Sequence, residues 1–237
     1  MITSVNNERI KNYAKLNDKK YREQTNLFLI EGQHLVEEAL KKDLVKDIFI
    51  AEGEVLYYED AEYVSYEVMK KLTTLANPPK IIAVCHKQEK TDVVGNAIIL
   101  DDISDPGNLG TIIRSAVAFN YHTIILSPNT VDIYNPKVIR ATEGMLFNIN
   151  VVISDLKEII TRLKQDNYLI IGTNVKNGKN PEKTTGKHAL IIGSEAKGMS
   201  EEITSLTDHN LYIKMNPICE SLNAAISASI LMHQLNN

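Results

Sequence analysis

The sequence is poor in cysteine, in long apolar runs and in positive charge, and each shortage removes a class of function. Its only cysteines, Cys85 and Cys219, sit in apolar contexts without metal-ligand spacing, so buried free thiols are expected rather than a disulfide or redox pair. The six histidines form no ligand motif, and no bound metal is expected. No apolar run approaches the ~20 residues of a membrane-spanning helix. The opening Met1-Ile2-Thr3-Ser4-Val5-Asn6-Asn7 lacks the basic-then-apolar order of a signal peptide, so a cytoplasmic protein away from membranes is expected. The formal net charge of −4 supplies no overall basic footprint for phosphate.

What is present is the composition of a folded protein. Of 237 residues, 43% are hydrophobic and 24% charged, a balance that excludes a disordered chain and leaves room for two domains. Charge is unevenly spread. Between Glu8 and Arg22 six basic residues (Arg9, Lys11, Lys15, Lys19, Lys20, Arg22) face two acidic ones, whereas Asp47 to Glu67 holds seven acidic residues and no basic one. Each run reads equally well as a solvated face or as a contact surface.

Periodicity divides the chain. The first ninety residues alternate: a basic helix near Asn7 to Leu16, a strand Leu27 to Ile30, a helix Gln33 to Lys41 burying Leu35, Val36, Ala39 and Leu40, a strand Ile48 to Ala51, a helix near Tyr66 to Leu75 and a strand Ile81 to Cys85. The polar stretch Lys87 to Asp92 is the linker candidate, giving domains 1–90 and 91–237. Beyond it, apolar runs at Ala97 to Leu100, Thr123 to Leu126, Ile149 to Ile153, Tyr168 to Ile171, Ala189 to Ile192 and Leu211 to Ile213 lack polar alternation. Such strands need helices on both sheet faces, so an α/β domain with a mostly parallel sheet is expected. Asp155 to Asp166 is the clearest covering helix, with Leu156, Ile159, Ile160 and Leu163 on one face. The last helix, Ser221 to Leu235, carries no charged residue and must be buried; a second subunit is expected to cover part of it, making a homodimer.

Three segments carry polar residues that packing does not require. In Asp105-Pro106-Gly107-Asn108-Leu109-Gly110-Thr111-Ile112-Ile113-Arg114, a turn feeds a helix; Asn108 is placed as its N-cap, and Arg114 projects away from the apolar face. In Ile192-Gly193-Ser194-Glu195, a buried strand runs into a glycine and a carboxylate at the sheet end where ligands bind in open α/β folds. In Ile213-Lys214-Met215-Asn216-Pro217-Ile218-Cys219-Glu220-Ser221-Leu222-Asn223, Ser221 can cap the final helix, and Asn223 is a polar residue that needs a partner there.

Together these segments resemble the three motifs of the SpoU, or TrmH, family of RNA ribose 2′-O-methyltransferases in the SPOUT class. The resemblance covers the chain from about Ala97 to its end. It implies a deep trefoil knot, and S-adenosyl-L-methionine held mostly by loop backbone, consistent with the lack of a Gly-x-Gly-x-x-Gly turn. It implies cofactor contacts at Gly193, Ile213 and Leu222, with Thr173, Asn174, Met215 and Ser221 beside them, and catalytic roles for Asn108, Arg114, Glu195, Ser221 and Asn223. An arginine whose guanidinium pKa exceeds ~12 is a poor base. The expectation is instead that Arg114 clamps a substrate phosphate while Asn108 and Glu195 hold it in place.

Lys214 and Pro217 depart from the family pattern, which has proline and glycine at those points. The N-terminal region resembles the substrate-binding domain, similar to ribosomal protein L30e, of members that modify ribosomal RNA. That implies RNA contacts from Arg9, Lys11, Lys15, Lys19, Lys20, Arg22 and Arg114, with large-subunit ribosomal RNA as substrate. A tRNA 2′-O-methyltransferase and a noncatalytic ribosome-assembly factor are the alternatives.

Overall fold

The computed structural model describes residues 1–88, 92–174 and 178–236. The chain divides into two compact units, Met1–Glu89 with Asp132–Phe147, and Lys90–Val131 with Asn148–Asn237. The second boundary departs from the simple split at residue 90. Asp132–Phe147 folds with the first unit because its side chains complete that unit's core: Tyr134 packs at a tilt against Phe28 with ring centroids 4.7 Å apart, and Arg140 pairs with Glu31 at 2.8 Å. Of the expected linker, Lys87 lies over the Tyr134 ring and Gln88 donates to the Phe147 carbonyl. Glu89, Lys90 and Thr91 lie outside the described residues.

The first unit contains α1 (Glu8–Ala14), α2 (Lys19–Thr25), β1 (Leu27–Glu31), α3 (Gln33–Leu40), β2 (Val45–Ala51), β3 (Glu62–Val64), α4 (Tyr66–Leu72), β4 (Ile81–His86) and, from the inserted segment, α6 (Pro136–Thr142). Its sheet has the order β1-β4-β2-β3, with β4 antiparallel to both neighbours and β2 parallel to β3. Ile10, Leu16, Leu29, Phe49, Val68, Met69 and Leu72 form its core on one side. In α3, Leu35, Val36 and Ala39 are buried, but Leu40 is 41% exposed, contrary to expectation. It is the last residue of α3 and sits at the edge of the buried stripe centred on Leu35 and Ala39.

The second unit holds β5 (Asn96–Asp101), α5 (Pro106–Ala118), β6 (Tyr121–Leu126), β7 (Asn150–Ile153), α7 (Leu156–Gln165), β8 (Leu169–Thr173), β9 (His188–Gly193), α8 (Glu201–Ser205), β10 (His209–Leu211) and α9 (Ala224–Asn236). The sheet order is β10-β8-β9-β5-β6-β7, and every pairing is parallel. β9 is buried along its whole length, as a strand with helices on both faces must be. One face packs Ala97, Ile99, Ala189 and Ile191 against Leu156, Ile159, Ile160 and Leu163 of α7. On the other, α9 packs against α5 and β9.

Cys85 is buried, and burial pushes its thiol well above the usual range. Cys219 is exposed, so the expectation of two buried thiols fails there. It closes a turn in which its N–H bonds the Asn216 carbonyl, which keeps it in a surface loop. Among the described residues no helix is long and apolar enough to cross a membrane.

Candidate active site

The site is built where β5, β8, β9 and β10 end. Pro106 occupies the first turn of α5, and Asp105 caps it, accepting from the Asn108 N–H at 2.7 Å. This corrects the expected cap: with Asp105 in that role, the Asn108 side chain is released to the surface. Its Nδ2 donates to Glu195 Oε1 at 2.7 Å. Its Oδ1 accepts from Asn223 Nδ2 at 2.9 Å. Asn223 Oδ1 in turn accepts from the N–H groups of Ala225 and Ile226, so Asn223, not Ser221, caps α9.

The two ends of this chain fix the orientation of both amides. A carboxylate only accepts and backbone N–H groups only donate, so each Asn between them must present its NH₂ toward Glu195 and its oxygen toward α9. One residue from each motif segment is thereby joined in a single directional relay. Charge assistance at the Glu195 end makes that link the stronger kind.

Behind Glu195 lies a cavity of about 280 Å³. All seven residues expected to contact the cofactor line it: Thr173 at the end of β8 and Asn174 just after it, Gly193 at the end of β9, Ile213 and Met215 after β10, and Ser221 and Leu222 before α9. Lys197, Met199, Thr204, Ser227 and Leu231, which the sequence reading did not single out, also line it.

Gly193 has a more specific role than allowing a ligand close. A Cβ there would lie 2.0 Å from the Met199 nitrogen and 2.1 Å from the Gly198 carbonyl carbon. The missing side chain makes room for the turn's own return, which closes through reciprocal Ser194–Gly198 backbone bonds of 3.1 and 2.9 Å. Gly198 has a φ of +69°, which glycine adopts without strain. Pro217 is accommodated too, since it stands second in the turn from Asn216 to Cys219, a position that suits its fixed φ.

Arg114 is exposed and is not among the residues that line the cavity. Asn108 and Glu195 bind each other, not Arg114 as expected. Among the described residues the Arg114 side chain has no hydrogen bond or ion pair.

The basic run is smaller than the sequence suggested. Arg22 is 3% exposed: its guanidinium pairs with Asp132 at 2.5 Å and donates to the Leu16 carbonyl, so it is a fold residue and no RNA contact. Arg9 pairs with Glu62 and lies over the Phe49 ring. Nearby, Tyr13 donates to Asp47 at 2.5 Å, and burial together with that carboxylate raises its pKa. Lys11 pairs with Glu8 and Lys19 with Glu23 at the surface. Lys15 and Lys20 are exposed.

The cavity suits S-adenosylmethionine by its chemistry. Ile192, Leu211, Ile213 and Leu222 offer an apolar bed for a purine, Thr173 and Asn174 offer polar groups, and the Glu195 carboxylate suits a neighbouring cation.

The model of the SpoU rRNA methylase family matches residues 95–233, and that of the MRM3-like substrate-binding domain matches residues 7–83. The chain is 37% identical to the Bacillus subtilis 23S rRNA (guanosine(2553)-2′-O)-methyltransferase RlmP, over 99% of this chain and 98% of that one. The crystal structure of an RNA 2′-O ribose methyltransferase superposes with a TM-score of 0.82 at 28% identity, covering 98% of this chain and 96% of the other. The SpoU methyltransferase AviRb from Streptomyces viridochromogenes, solved with AdoMet, shares the fold: TM-score 0.84, 23% identity, 96% of each chain.

Proposed function

The chain belongs to the SpoU rRNA methylase family, and from that premise we propose that the cavity holds its methyl donor and that the Asn108–Glu195–Asn223 relay orders the reaction centre beside it. The protein is an S-adenosylmethionine-dependent RNA methyltransferase acting on a ribose 2′-hydroxyl. Large-subunit ribosomal RNA is the substrate class, supported by the substrate-binding domain match and by the full-length likeness to RlmP. The relay is the observation that carries the site assignment, because a merely RNA-binding protein has no use for three linked polar side chains at the mouth of a cavity.

S-adenosylmethionine supplies an electrophilic methyl on a sulfonium. Thr173, Asn174, Gly193, Ile213, Met215, Ser221 and Leu222 would hold it. Apolar walls exclude water, and holding donor and acceptor in register contributes several kcal/mol. Glu195, with one oxygen committed to Asn108, keeps the other to orient a polar group of the substrate. Arg114, with its guanidinium uncommitted, grips an RNA phosphate and polarises the attacked hydroxyl. Lys15, Lys19 and Lys20 add sequence-independent phosphate contacts in the first unit.

The enzyme works as a cytoplasmic homodimer through α9. That helix buries Ala224, Ala225, Ala228, Leu231, Met232 and Leu235 within its own chain, but Ile226 is 52% exposed and Ile230, one turn on, is only half-buried. The threading of the knot is part of the same reading. After β10 at one sheet edge, the chain returns through residues 212–223 past the cavity before α9 packs on α5.

The deciding test is transfer of labelled methyl to ribosomal RNA followed by nucleoside analysis. Label on a ribose is expected. The Arg114→Ala variant is expected to bind S-adenosylhomocysteine normally and lose most turnover; normal turnover would remove Arg114 from the mechanism.

A further inference from the structure

Asp101 belongs to none of the three motif segments, yet its carboxylate is buried at 8% exposure. It ends β5, in parallel register with Gly193 on β9, and is not among the residues lining the cavity. Its Oδ2 accepts from the backbone N–H of Ser200 at 2.9 Å. A carboxylate at that depth is costly unless it is bonded, and the group it bonds is the far end of the turn that follows β9.

That turn is fastened at two points. Where it leaves β9, the absent side chain of Gly193 lets Gly198 and Met199 pass. Where it ends, Asp101 grips Ser200. Between the two points, Ser194, Glu195, Lys197, Gly198 and Met199 form one wall of the cavity, and Glu195 reaches Asn108.

We infer that Asp101 is a positioning residue for cofactor binding: its hydrogen bond to Ser200 fixes the turn that carries Glu195 and walls the cavity. The inference rests on the reading of that cavity as the S-adenosylmethionine site.

The test uses the full-length protein, calorimetry with S-adenosylhomocysteine and steady-state methyl transfer. Asp101→Val removes the acceptor. Ser200→Pro removes the donor instead, at a residue whose φ of −63° already matches proline; it also removes the cap that the Ser200 hydroxyl gives α8, so Ser200→Ala, which loses the cap and keeps the N–H, is its control. Loss of a charge-assisted bond predicts roughly ten- to hundredfold weaker binding in either variant. KM for S-adenosylmethionine should rise with kcat at saturating donor largely kept. Asp101→Asn, which keeps an accepting oxygen, should restore most of the affinity, and the double variant should bind no worse than the weaker single one.

If Asp101→Val does not fold, Ser200→Pro and Asp101→Asn still decide the matter. Folded variants that bind like wild type, or that lose only thermal stability with KM unmoved, overturn the role of Asp101 alone. Failure of the wild type to bind S-adenosylhomocysteine overturns the reading of the cavity, and this role with it.

Discussion

Replacing Gly193 by alanine adds one methyl group at a point where the surroundings cannot yield by a side-chain rotation. The new Cβ would meet the Met199 nitrogen at 2.0 Å, the Gly198 carbonyl carbon at 2.1 Å and its oxygen at 2.5 Å, whereas ordinary contact begins at 3.4 Å. All three are backbone atoms, so residues 198–199 must retreat by more than an ångström or β9 must shift. Retreat pulls on the Ser194–Gly198 bonds and on the 2.7 Å contact between Glu195 and Asn108. Overpacking of this kind costs about 1–3 kcal/mol. If that cost falls on the cavity wall, it weakens cofactor binding by roughly ten- to hundredfold, at tenfold per ~1.4 kcal/mol. Calorimetric titration with S-adenosylhomocysteine, beside a thermal melt, measures both parts. A dissociation constant indistinguishable from wild type in a normally folded variant would refute the view that the turn's close return shapes the cavity.

Arg22→Leu should destabilise the protein by about 3–5 kcal/mol in urea because it strands Asp132 without its partner, while Lys20→Ala should leave stability alone and lower the salt slope of RNA binding by about 1. Ile226→Glu should leave a monomer in sedimentation velocity; a persistent dimer would move the interface elsewhere. His188 is fully buried beside the Tyr121 hydroxyl at 2.8 Å, and burial holds its pKa below the ordinary 6.5. The native state therefore favours the neutral ring, so stability is complete above pH 6.5 and falls as the pH drops below it. Denaturation curves at pH 7.5 and 5.5 should show a loss that His188→Gln reduces.

The central strands were legible because burial on both faces leaves an unbroken apolar run, and β5, β6 and β9 follow those runs to within two residues. α2 and β3 were not. α2 has no apolar stripe, and its anchor is the bond from Arg22 to Asp132, 110 residues away; β3 is three residues long. The same distance effect governed the caps. Local rules name every Asn and Ser before a helix as a candidate, but which one serves depends on what else its side chain can reach. Asn108 reaches Glu195, 87 residues on, so Asp105 does the capping. The residues of the cavity are legible from motifs after strands, whereas nothing local marks Asp101, since its partner Ser200 lies 99 residues away.

The inserted segment Asp132–Phe147 makes the two units inseparable by a single cut. The backbone passes from one unit to the other at residues 89–90, 131–132 and 147–148. A protein ending at residue 90 would lack Asp132 and Tyr134, leaving a buried arginine uncompensated and the Phe28 ring uncovered. As the chain leaves the ribosome, the first unit cannot be completed until β5, α5 and β6 of the second have been made. Exchange of the substrate-binding module between relatives, by recombination or by design, must therefore move two pieces of chain together, and a transplant of the N-terminal piece alone carries an unfinished fold.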